Sequence, residues 1–199
     1  MAQSPRVVAL IMAAGRARRF GSDKRLARLS SGETLLAATL AGTRYAFVER
    51  FLVIGRHDEP GRRLADAAGV NSLVAPHAGR GLGFSIADGV AELLRRNSNA
   101  EALAVVLGDM PRVAAATYAA LVAAAHPGRI VRPDYRRQPG HPVLFGRDFW
   151  PALSRLAHPA GARELIVANR QALYPLEVDD PGILLDVDRP GDLARLGYR

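Results

Sequence analysis

The sequence predicts a three-layer α/β/α fold built on a mostly parallel β-sheet, and three observations carry that expectation. Strand-like and helix-like stretches alternate through the first two-thirds of the 199 residues. Two strand candidates, residues 6–12 (RVVALIM) and 102–107 (ALAVVL), are continuous apolar runs of the kind that suits strands covered on both faces. Glycines at Gly15, Gly55, Gly69 and Gly108 punctuate the boundaries between segments.

The elements follow in order. Residues 6–12 form the first strand, and Gly15 and Gly21 bracket an arginine-rich loop after it. Residues 33–47 have helical apolar spacing. A second strand, residues 50–54 (RFLVI), stops at Gly55. A helix over 57–68 is closed by Gly69, and residues 71–75 make a short third strand. Gly79, Gly81 and Gly83 form a flexible stretch before a helix over 85–96. The strand over 102–107 runs directly into Gly108-Asp109-Met110-Pro111. An alanine-rich helix over 114–125 and a strand over 129–132 follow. Residues 133–142 carry three prolines, a glycine and several charges, which reads as a loop or hairpin, with 143–145 as its return strand. Two helices are expected over 147–156 and 161–169. Short strands are expected over 173–178 and 183–187, and a last helix opens at Pro190. Nothing resembles a linker or an internal repeat, so residues 1–199 read as one domain.

Composition narrows the function classes. Hydrophobic residues make up 49% and charged residues 23%, as in ordinary globular proteins. No apolar stretch approaches the ~18 uninterrupted residues of a membrane span. No basic, then apolar, then small-residue pattern opens the chain, so no secretory signal is read. Cysteine is absent, which excludes disulfides and thiolate metal sites and makes the cytoplasm the expected location. The net charge of +8 favours anionic partners such as nucleotides and phosphorylated metabolites. Aromatics are only 6% and no basic run interleaves with them, so a nucleic-acid stacking platform is not expected.

In open parallel sheets, ligands bind beyond the carboxyl ends of the strands. Five constellations carry candidate chemistry. The first is the loop Met12-Ala-Ala-Gly-Arg-Ala-Arg-Arg-Phe-Gly-Ser-Asp-Lys24. Its small residues let backbone N–H groups approach phosphate oxygens, while Arg16, Arg18, Arg19 and Lys24 supply positive charge. The glycines are six positions apart, so this is neither a P-loop nor a GxGxxG turn. In the second, Asp109 sits just beyond a buried strand, where a carboxylate either bridges a divalent cation to phosphates or caps the following turn. The third, Ala75 to Ser85, carries three glycines, Arg80 and Ser85, and can hold a base, ribose or phosphate at a helix start, or can simply connect two elements. The fourth places His141 between Gly140 and Pro142 in an extended loop. The fifth puts Asp186 and Asp188 on one face of a strand by alternation, as metal ligands or caps. His57, His77, His126 and His158 show no metal-ligand spacing.

Taken together and in this order, these segments resemble the MobA-like nucleotidyltransferases. The shared pattern opens with Ala-Ala-Gly-x-x-x-Arg-Phe-Gly-x-x-Lys, here from Ala13 to Lys24. It continues through the glycine-rich stretch, Gly-Asp-Met-Pro at 108–111, Gly-His-Pro at 140–142 and Gly-Ala-Arg at 161–163. It closes with Asp-x-Asp-x-Pro-x-Asp at 186–192. Within the family the chain looks most like the molybdenum cofactor cytidylyltransferases, because Ala14-Gly15 stands where the guanylyl-transferring branch has Gly-Gly. Two departures are Arg189, where threonine is usual, and Phe84, where small residues are common.

The resemblance implies the Rossmann-like sheet of the nucleotide-diphospho-sugar transferase type, as a single nucleotidyltransferase domain over 1–199. It implies transfer of a nucleoside monophosphate, CMP from CTP, to the phosphate of molybdopterin or a related small molecule. Lys24, Asp109 and Arg19 take catalytic roles. Ala13, Ala14, Gly15, Arg16, Gly21, Lys24, Gly81 and Ser85 contact the nucleotide. Asp109 with Asp188 or Asp186 holds Mg²⁺, and His141 and Arg163 face the acceptor. A molybdoenzyme or cofactor-insertion protein is the implied protein partner, with no nucleic acid and no membrane. Two alternatives share the fold: an NAD(P)H-dependent oxidoreductase like reductases of nicotine breakdown, and a non-catalytic nucleotide-binding chaperone for a molybdoenzyme.

Overall fold

A computed structural model describes residues 4–15 and 20–196. The eight strands are β1 (Val7–Met12), β2 (Glu49–Ile54), β3 (Asn71–Val74), β4 (Ala102–Leu107), β5 (Ile130–Tyr135), β6 (Gln138–Pro139), β7 (Val143–Gly146) and β8 (Leu173–Glu177). They form one sheet in the order β3-β2-β1-β4-β7-β5-β6, with β8 added beside β5. Pairing is parallel from β3 through β4 and between β5 and β8, and antiparallel where β7 meets β4 and β5. The sheet is therefore mostly parallel but mixed.

The helices are α1 (Leu35–Gly42), α2 (Glu59–Ala67), α3 (Leu82–Arg95), α4 (Ala115–Ala123), α5 (Trp150–Leu153) and α6 (Arg163–Ala168). Alternation along β1 divides the core between the two faces. Val7, Ala9 and Ile11 pack with Leu36, Leu40, Ala65, Tyr118 and Leu121, from α1, α2 and α4. Val8, Leu10 and Met12 pack with Ile86, Val90, Leu93, Trp150 and Leu153, from α3 and α5. Every residue of β1 is buried, as its unbroken apolar run requires of a central strand. At one sheet edge β8 carries Pro175, which cannot donate to a further strand; at the other, β3 is only four residues long. No helix among the described residues is long and apolar enough to cross a membrane.

Three expectations need correction. The helix expected from residue 85 begins at Leu82, so Gly83 lies within α3 rather than in a flexible lead-in. A Cβ at Gly83 would meet the His158 carbonyl oxygen at 2.0 Å, so glycine here serves close packing against the loop before α6. The strand over 129–132 extends through Pro133 to Tyr135, because Asp134 and Tyr135 pair with β6. Residues 183–187 do not form a strand. Pro181–Leu184 is a 3-10 turn whose first N–H groups are capped by Asp180. A Cβ at Gly182 would meet the Arg112 carbonyl at 2.1 Å, so this turn is pressed against the segment that follows β4.

A third, smaller core holds the chain end in place. Val187 is fully buried with Leu29 and Leu35, and Phe20, Leu185 and Leu193 pack around them. This contact brings the segment bearing Asp186 and Asp188 against the turn that carries Lys24.

Candidate active site

The parallel strands β1 and β4 end side by side, and the cleft lies beyond their carboxyl ends. Its volume is about 460 Å³. Ala13, Ala14 and Gly15 leave β1 to form its floor, and Gly108 and Asp109 leave β4 to form one wall. Gly79 comes from the 3-10 turn Ala78–Arg80, Gly81 and Ser85 from the start of α3, and Asp186 and Asp188 from the chain end. Lys24 stands on the 3-10 turn Lys24–Leu26, capped by Asp23.

The Lys24 ammonium forms an ion pair and hydrogen bond with the Asp109 carboxylate. It also donates to the Val187 carbonyl oxygen at 3.0 Å and lies 3.6 Å from the Asp188 carboxylate. Asp186 joins the same acidic group. Burial pushes its carboxyl above the usual range, the charges of Asp109 and Asp188 push it further, and Lys24 works against them. A cation would relieve that repulsion. Among the described residues, no three His, Cys, Asp or Glu side chains are gathered closely enough to cage a metal alone. The set instead suits Mg²⁺, which is usually held by one or two carboxylates, water and substrate phosphates.

His141 lies at the back of this group. Burial lowers its pKa, and the charges of Asp109 and Asp186 oppose that shift. Its Nδ1 is buried without a hydrogen-bond partner among the described residues. The ring does not line the cleft. Arg163, the first residue of α6, is exposed and also lies outside the cleft lining. Gly21 adopts a left-handed φ of 78° at the far end of the loop and is not part of the lining. Arg16 and Arg19 lie outside the described residues. Gly81 does line the cleft, but a Cβ there would strike Pro159 at 2.6 Å, so its identity is also a packing requirement.

A second recess of about 590 Å³ shares the floor of the first. It is enclosed by the turn after β2, Gly55 to Asp58, and the turn after β3, Ala75 to Gly79. Between the two recesses stands Arg25, which sequence reasoning passed over; Asp23 and Asp58 lay in candidate loops but were given no role. Its guanidinium pairs with both carboxylates and donates to the Ala13 carbonyl oxygen at 3.2 Å. Hydrogen bonding to Arg25 holds Asp23 below the usual carboxylate range. For Asp58, burial acts upward, but bonds from Arg25 and the Gly61 N–H leave the net shift downward. The only sequence signal was Asp-x-Arg on a turn and a lone Asp after a strand, 33 residues apart from Arg25.

Comparison with known proteins places this geometry in a family. Residues 9–173 match the MobA-like NTP transferase domain. The chain belongs to that family. The family's coarse character, a nucleotidyltransferase-type sheet, therefore applies to this protein. One relative is the purine catabolism protein PucB of Bacillus subtilis, 26% identical over 197 residues, with 94% of each chain covered. Among solved structures, the Rv0371c homologue from Mycobacterium sp. strain JC1 is 29% identical with a TM-score of 0.83, covering 96% of this chain and 94% of that one. Rv0371c of Mycobacterium tuberculosis, in a complex with manganese, is 28% identical with a TM-score of 0.77, covering 96% and 97%.

Proposed function

We propose that this protein transfers a nucleoside monophosphate, CMP from CTP, to the phosphate of molybdopterin or a closely related small molecule and releases pyrophosphate. The observation that carries the reading is the convergence of Lys24, Asp109, Asp188 and the small-residue loop Ala13-Ala14-Gly15 on one cleft beyond the ends of β1 and β4. An acceptor phosphate oxygen attacks the α-phosphorus, a new P–O bond forms, and the bond to the β-phosphate breaks as pyrophosphate departs. The nucleophile is already ionised, so no strong general base is needed. What the protein must do is bring two anions together and offset their charge.

In this reading the triphosphate occupies the first recess, over the backbone N–H groups of Ala14 and Gly15. The nucleoside points to the second recess, with Gly81 and Ser85, which line the first, beside the α-phosphate. Lys24 leaves Asp109 and follows the charge that builds on the phosphates during transfer. Asp109 and Asp188, with Asp186 beside them, would hold Mg²⁺, which supplies electrostatic stabilisation of the phosphoryl oxygens when bound. His141, buried behind the acidic group and outside the cleft lining, would act on the acceptor side only through its charge coupling to Asp109 and Asp186. Arg163 would contact the acceptor only at the cleft's outer margin. In this reading the protein would act in the cytoplasm, with a molybdoenzyme or its insertion protein as recipient of the product.

The test is pyrophosphate release with each of the four nucleoside triphosphates and Mg²⁺ against a panel of acceptors that includes molybdopterin. The expected result is release that requires both CTP and molybdopterin. No pyrophosphate release with any acceptor in the panel, together with oxidation of NAD(P)H when that is added in place of the triphosphate, would replace this reading with the oxidoreductase one.

A further inference from the structure

Lys24 and Arg25 are consecutive cations that both line the cleft, and a polyphosphate site would seem to call on both. The donor inventory separates them. A guanidinium has five N–H bonds. The Nε–H of Arg25 goes to Asp23, at 2.8 Å from Oδ1 and 3.2 Å from Oδ2. One Nη2 proton goes to Asp23 Oδ2 at 2.6 Å and the other to Asp58 Oδ1 at 2.9 Å. Nη1 is shared between Asp58 Oδ2 and the Ala13 carbonyl oxygen. All five donors have protein acceptors, and none is left for a ligand.

The acceptors sit on three separate parts of the site. Ala13 belongs to the floor shared by both recesses, Asp23 caps the turn that carries Lys24, and Asp58 belongs to the outer wall of the second recess. Asp58 also caps α2 through the Gly61 N–H at 3.0 Å. Gly61 is pressed so closely on this carboxylate that a Cβ would lie 2.7 Å from Oδ2. The wall from Gly55 to Asp58 is thus tied to the floor through one planar fork. His57, in the same wall, holds a left-handed φ of 59°, a conformation uncommon for a residue with a Cβ though better tolerated by histidine than by most. Lysine could not replace this fork, since its ammonium offers three donors from a single atom.

We propose that Arg25 is a positioning residue for the nucleoside half of the site: it touches no phosphate, and it fixes the wall at residues 55–58 against the floor at residues 13–15. The inference rests on the nucleotidyl-transfer reading above. It separates two parts of one ligand. Pyrophosphate needs only the Lys24–Asp109–Asp188 side, and a nucleoside monophosphate needs the second recess as well.

The experiment compares the full-length protein with Arg25→Lys in two measurements. Hydrogen–deuterium exchange without ligand reads the wall directly, and residues 55–61 should exchange faster in Arg25→Lys while β1 and β4 stay protected. Calorimetry with Mg²⁺ then reads the consequence. Affinity for cytidine 5′-monophosphate should fall about tenfold, a typical cost of a misplaced wall, while affinity for inorganic pyrophosphate stays within about twofold. A second variant, Asp58→Asn, keeps size and helix capping but weakens the fork, and should shift the same two readouts in the same directions. Unchanged exchange and unchanged affinities in both variants would overturn the positioning role while leaving the enzymatic reading intact. Loss of pyrophosphate affinity with cytidine 5′-monophosphate unaffected would make Arg25 a phosphate ligand and also overturn it. Failure of the parent protein to bind either probe would overturn the nucleotidyl-transfer reading, and the positioning role with it.

Discussion

Lys24 and Arg25 leave the same 3-10 turn, and the fold treats them in opposite ways. Among the described residues, Lys24 donates to one carboxylate and one carbonyl and keeps a second carboxylate at 3.6 Å. Arg25 is held by two carboxylates and a carbonyl through every donor it has. Burial of the two side chains hardly differs, at 20% and 15% exposed, so exposure is not what distinguishes them. Partner geometry is. A compact ammonium on a flexible stem can exchange partners as charge moves, whereas a planar fork with its donors saturated behaves as a strut. In the proposed reaction, the side facing Asp109 is therefore the part of the site that changes, and the side facing Asp58 is the part that must not.

The sharpest way to break this contrast is Lys24→Ala. If Lys24 follows charge that develops in the transition state, kcat should fall by about 10²–10³-fold with little change in KM. Steady-state kinetics decide it. A rise in KM alone would make Lys24 a ground-state anchor rather than a group that follows developing charge.

Nucleotide choice sharpens the contrast on the fixed side. Ala14 lines both recesses, and in the proposed reaction CTP should bind more tightly than GTP because a methyl there takes room that a second glycine would leave open. Ala14→Gly should cut that preference by about tenfold, the lower end of what one methyl in a pocket contributes. Calorimetry with both nucleotides and Mg²⁺ checks it, and tighter GTP binding by the parent would refute the cytidylyl assignment.

The rigid part of the site extends to Asp180. This buried carboxylate accepts from the Ala114 N–H at 2.8 Å, the Thr117 hydroxyl at 2.6 Å and the Gly182 N–H at 2.8 Å, and so joins the start of α4 to the turn that leads to Asp186. Asp180→Ala strands these donors and should lower stability by roughly 1–3 kcal/mol. Thermal melting measures this, and a parent-like melt would show that the turn is held by other contacts.

The smallest effect concerns acid. Arg25 holds Asp23 and Asp58 below the ordinary carboxylate range, so their folded pKa values lie below the unfolded ones. Their contribution is complete above about pH 4, the ordinary carboxylate pKa, and is lost as pH falls through the lowered folded values. The melting temperature of the parent should therefore drop more steeply below that pH than that of Asp58→Asn. Parallel acid limbs would mean that the fork carries little stability.

What the sequence makes legible follows from where the physics is local. β1 and β4 are readable because strands covered on both faces must be apolar throughout. The chain end is not, because the alternation of Asp186, Val187 and Asp188 looks like a strand while Asp180 and the tight contact at Gly182 turn it into a 3-10 turn and an extended tail. The alternation still has its consequence: Val187 is buried beside Leu35, and both aspartates face the cleft. Lys24 and Asp109 can be picked out because each sits in a local motif. The Asp23–Arg25–Asp58 fork cannot, since its members meet only when the turn after β2 folds against the loop after β1. Gly83 misleads for a related reason. A glycine that makes room for a distant carbonyl looks, in one dimension, like a glycine that gives a loop its freedom.

The most direct test of the exchangeable side is CTP binding by calorimetry with and without Mg²⁺, in the parent and in Asp109→Asn, with thermal melts alongside. Asparagine keeps the size and most of the hydrogen bonding of Asp109 but removes its charge. The account predicts that Mg²⁺ strengthens CTP binding in the parent, that this enhancement disappears in Asp109→Asn, and that the two proteins melt alike. Mg²⁺-enhanced CTP binding that survives in Asp109→Asn would contradict it.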